Sequence, residues 1–71
     1  MTTEEIQELN RAREGLTRRR GALARLIAGN ELPSVESAEE LAKVQAGIEA
    51  IDRALADAGQ PYLSRTLDGR E

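Results

Sequence analysis

The chain has 71 residues, a single tyrosine as its only aromatic, no cysteine, no histidine and a formal charge of −3 at pH 7. That composition excludes a disulfide framework, the usual zinc sites and any serine or cysteine nucleophile activated by histidine. The length fits one small domain, and the sequence holds no apolar run of the roughly 18 residues that a membrane-spanning helix needs.

Charge is divided unevenly along the chain. Residues 1–30 carry six Arg against four Glu, a net +2, whereas residues 31–71 carry four basic against nine acidic residues, a net −5. An acidic half folded on a basic half accounts for this division. The N-terminal Thr2-Thr3-Glu4-Glu5 is acidic and unlike a secretory leader, and a cysteine-free composition fits a cytoplasmic protein.

The first element is a helix over about 3–28. Thr2 with Glu5 three positions later is a capping-box pattern, and Glu4, Glu5 and Glu8 favour the positive end of the helix dipole. Gly29 is expected just past its end. Leu9, Leu16 and Leu23 recur every seven residues, with Ile6 and Ile27 on the same side. Between the leucines, Arg13 and Arg20 stand where a core helix carries Ile or Val. Gly15 and Gly21, each costing about 1 kcal/mol relative to Ala, make the Arg18-Arg19-Arg20 segment between them a candidate break.

Residues 29–36, Gly-Asn-Glu-Leu-Pro-Ser-Val-Glu, form the connection, with Leu32 and Val35 expected to cover the end of the bundle. So short a connection makes the two helices antiparallel neighbours. The second helix is expected over about 38–58, opened by a capping box from Ser37 to Glu40 and stopped by Gly59 and Pro61. Its seam is Leu41, Val44, Ile48, Ile51, Leu55 and Ala58, spaced three, four, three, four, three. Ala42, Ala46, Ala50, Ala54 and Ala58 leave much of its surface small.

Residues 59–71 form a short tail. Tyr62, Leu63 and Leu67 lie beyond a clear helix stop, either as one turn over Ile6 and Leu9 or as a segment that captures a partner.

The pattern predicts an all-α fold: an antiparallel two-helix hairpin with a C-terminal tail. A lone helix pair leaves one side of each seam open, and so small a core ordinarily needs a disulfide, a metal or an oligomer. A homodimer forming a four-helix bundle is therefore expected, with Leu9, Leu16, Leu23, Leu41, Val44, Ile48, Ile51 and Leu55 in its core.

No catalytic constellation is present. Ser34, Ser37 and Ser64 have no histidine to activate them, and Glu36, Glu39 and Glu40 fall in a helix first turn, where acids complement the dipole. A non-enzymatic interaction or adaptor module follows, with no cofactor and no metal. Arg18, Arg19, Tyr62, Leu63 and Leu67 are its candidate contacts to a protein partner. Arg13 and Arg20 are candidate structural pairs for Glu49 and Asp52. The rival reading is a nucleic-acid-binding hairpin using Arg11, Arg18, Arg19 and Arg25, against an overall acidic charge and without an aromatic on that helix to stack on bases.

In size, turn position and polar tail, the layout is similar to the plasmid RNA-binding helical hairpins that dimerise into four-helix bundles. Its order of helix, Gly-led connection, Ser-x-x-Glu helix start and tail also resembles the small phage head–tail joining proteins, which implies a structural subunit of a larger particle. Those proteins carry a β-hairpin between their helices, for which Gly29 to Glu36 is too short and interrupted by Pro33.

Overall fold

The computed structural model describes residues 1–60. They form two helices, α1 (Thr3–Ala28) and α2 (Val35–Asp57), packed side by side, with no strand among the described residues. The expectations on Tyr62, Leu63 and Leu67 lie outside these residues.

Helix α1 opens with a complete capping box. The Glu5 amide donates to Thr2 Oγ1 at 3.1 Å, and the Thr2 amide donates to Glu5 Oε1 at 2.9 Å. The helix then runs unbroken for 26 residues, about 39 Å at the usual rise, through both Gly15 and Gly21. Burial of its leucine face outweighs the propensity cost of two glycines. It ends at Ala28, just before Gly29, as the sequence predicts. Gly29 is right-handed (φ −82°), and the Asn30 side-chain amide donates to the Leu26 carbonyl at 2.6 Å.

Helix α2 starts one turn before the expected Ser37. Ser34 is the N-cap, its hydroxyl oxygen accepting from the Ser37 amide at 3.0 Å. Two capping serines stand three residues apart, and the earlier one prevails. Starting there places Val35, Glu36 and Ser37 in the helix and adds the bond from the Ala38 amide to the Ser34 carbonyl. The far end closes with a Schellman motif. The Gly59 amide bonds to the Ala56 carbonyl at 2.9 Å and the Gln60 amide to the Leu55 carbonyl at 2.8 Å, with Gly59 left-handed at φ 76°.

The two seams meet with Leu23, Val44, Ile48 and Leu55 buried. Leu16 and Leu41 pack on the Leu23–Val44–Ile48 cluster while keeping part of their surface exposed, and Leu9 and Ile51 are also half-buried. Gly47 lies against the Leu16 side chain: a Cβ there would stand 3.2 Å from Leu16 Cδ1. Leu32 and Val35 do not cover the end of the hairpin: they are 91% and 69% exposed. The connection bends at Glu31 and Leu32, which leaves Leu32 in solvent, and Val35 falls in the first turn of α2 with its side chain exposed.

Candidate functional site

Six arginines lie on α1, and the structure sorts them by helical face. Arg13 and Arg20 flank the leucine seam and reach across to α2. Arg13 grips Asp52 side-on, with Nε to Oδ1 at 2.6 Å and Nη2 to Oδ2 at 3.2 Å. Such bidentate geometry fixes direction as well as distance. Arg20 donates to Gln45 Oε1 at 2.8 Å, and Gln45 Nε2 donates on to Glu49 Oε2 at 3.0 Å. Arg20 therefore reaches Glu49 only through Gln45, because Gln45 sits one turn nearer on the same side of α2. The seven residues from Arg13 to Arg20 match the seven from Asp52 back to Gln45, which fixes the antiparallel register.

Arg19 lies on the opposite flank of the seam and is held by Glu40, with Nη2 to Oε2 at 2.6 Å and Nε to Oε2 at 2.7 Å. It thus parts company with Arg18, with which the sequence grouped it as a partner contact. Arg11, Arg18 and Arg25 occupy the outer face and are exposed. The sequence places Glu40 in a capping box with Ser37; in the structure Ser34 is the cap and the Glu40 carboxylate holds Arg19 instead. The signal for that pairing is its place one turn before Val44, opposite an arginine next to Arg20.

A groove of about 600 Å³ opens between the helices near the turn. Gly21 and Ala24 form one wall, Ala38 and Ala42 the other, and Leu41 the floor; Arg20 and Gln45 close one end. Asn10, Thr17 and Ala24 recur every seven residues along this side of α1. Asn10 Oδ1 and Thr17 Oγ1 are buried there without a hydrogen-bond partner among the described residues. On the other flank Leu26 is 53% exposed.

Among the described residues no cluster of three or more metal-ligating side chains exists, and no helix is long and apolar enough to cross a membrane. No family model, curated protein or solved structure matches the chain.

Proposed function

We propose that this protein is a non-enzymatic interaction module whose first partner is a second copy of itself, two hairpins pairing into a four-helix bundle. The groove walled by Gly21, Ala24, Ala38 and Ala42 carries this reading. Its walls are small enough to admit a helix at close range, and its floor, Leu41, is a seam residue that the hairpin alone leaves half-covered. Among the described residues four apolar side chains are buried, a core of the size that usually needs reinforcement in a domain of this length, and cysteine is absent. A second hairpin supplies that reinforcement by covering the exposed part of Leu41. Capture of a further protein partner, through the tail with Tyr62, Leu63 and Leu67, belongs to the same proposal.

The test places a charge in the groove without touching the seam. Ala42→Glu should convert a dimer to a monomer, as measured by light scattering. Ala50→Glu, on the outer surface of the same helix, should leave the mass unchanged. A dimer that survives Ala42→Glu would move the interface elsewhere.

A further inference from the structure

We propose that Arg11, Arg18 and Arg25 form a binding stripe for the phosphodiester backbone of a nucleic acid. The stripe lies beside the groove and meets its wall only at Gly21, against which Arg25 rests. The other three arginines of α1 are engaged within the chain: Arg13 by Asp52, Arg19 by Glu40 and Arg20 by Gln45. Arg11, Arg18 and Arg25 have no ion pair or hydrogen bond among the described residues. They recur every seven residues, so they lie on one line of exposed helix surface with steps of about 10 Å. Structural pairing therefore accounts for half of the arginines on this helix and leaves the other half aligned on the solvent side.

The surroundings of the stripe decide what it fits. Arg18 Nη2 and Arg25 Nη1 lie 3.8 and 3.6 Å from where a Cβ on Gly15 and Gly21 would stand, so the guanidinium groups rest along bare helix surface. The side chains beside the line are Gln7, Glu8, Glu14, Gly15, Gly21, Ala22 and Ala28, none of them large and apolar. A protein partner normally buries an apolar centre and keeps its charges at the rim, and this face offers no such centre. A membrane surface would need aromatic or large aliphatic groups to insert, and they are missing here. A phosphate backbone needs neither, being bound by charge and hydrogen bonds alone, and the planar guanidinium fork matches phosphate oxygens. The overall charge of −3 does not prevent this. Glu8 and Glu14 sit beside Arg11 and Arg18, but most other acids lie on α2 or in the first turn of α1, and fields weaken over about 8 Å at physiological salt.

The test uses the full chain and a fluorescein-labelled DNA duplex of mixed sequence, titrated by anisotropy over a salt series. Three phosphate contacts predict a slope of log K against log salt near −3, and each of Arg11→Gln, Arg18→Gln and Arg25→Gln should flatten it by about one. Arg19→Gln, which breaks only the contact to Glu40, should leave the slope unchanged. Far-UV circular dichroism on each variant confirms that helix content is retained. Three results would each overturn the proposal: no binding at low salt, a slope indifferent to the three substitutions, or binding of poly-glutamate as tight as that of DNA.

Discussion

Arg13 and Asp52, 39 positions apart in sequence, meet through two nearly parallel hydrogen bonds of 2.6 and 3.2 Å. The contact lies two helical turns from the Arg20–Gln45 bond, and the two together set how α1 is staggered on α2. Asp52 keeps 43% of its side-chain surface exposed, so solvent screens the pair and its contribution is modest. A double-mutant cycle with Arg13→Ala and Asp52→Ala, read by urea denaturation, should give a coupling of about 0.5–1 kcal/mol that shrinks in high salt. A coupling near zero would leave register to the apolar seam alone.

The glycines of the helices should respond differently to alanine. Gly15→Ala and Gly21→Ala meet only ordinary contacts with arginine ends, so each should stabilise the protein by about 1 kcal/mol. Gly47→Ala gains the same propensity but presses on Leu16 Cδ1 at 3.2 Å. Leu16 is half-buried and able to give a little, so the expected net change is within about 0.5 kcal/mol of zero. Gly59→Ala should cost about 1 kcal/mol, entirely through its left-handed backbone, since nothing stands within 4 Å of the added carbon. Thermal melts of the four variants check the order.

Ser34→Ala should cost about 1 kcal/mol as a lost N-cap, whereas Ser37→Ala, inside the first turn, should change stability by no more than about 0.5 kcal/mol. The reverse order in a denaturation series would return the start of α2 to Ser37.

Thr17→Val should raise stability by about 1 kcal/mol. The substitution keeps the branched shape and removes a buried hydroxyl oxygen that has no partner among the described residues. A loss of stability on this change would mean that the oxygen is bonded in solution.

Much of this hairpin was legible in its sequence, and the parts that were not share a physical reason. The Thr2–Glu5 box and the three-four spacing of α2 are local signals, and α1 and the α2 seam follow from them. The start of α2 was misplaced because Ser34 and Ser37 are both competent caps, and only the added helical turn distinguishes them. The end of α1 just before Gly29 is legible in the sequence, but not that Gly29 stays right-handed while the Asn30 side chain satisfies the Leu26 carbonyl. Arg20 was matched to Glu49 by charge sign, whereas distance favours the neutral Gln45. Separating Arg19 from Arg18 required the crossing of the helices, which brings Glu40 beside one and not the other; no local pattern carries that.

The mass of the native chain by light scattering, followed through a dilution series with helix content recorded in parallel, tests self-association most directly. Twice the 7.7 kDa chain mass, with helix content falling as the dimer dissociates, is the expected result. A mass of 7.7 kDa with full helix content at every concentration would contradict it and leave the hairpin stable on its own.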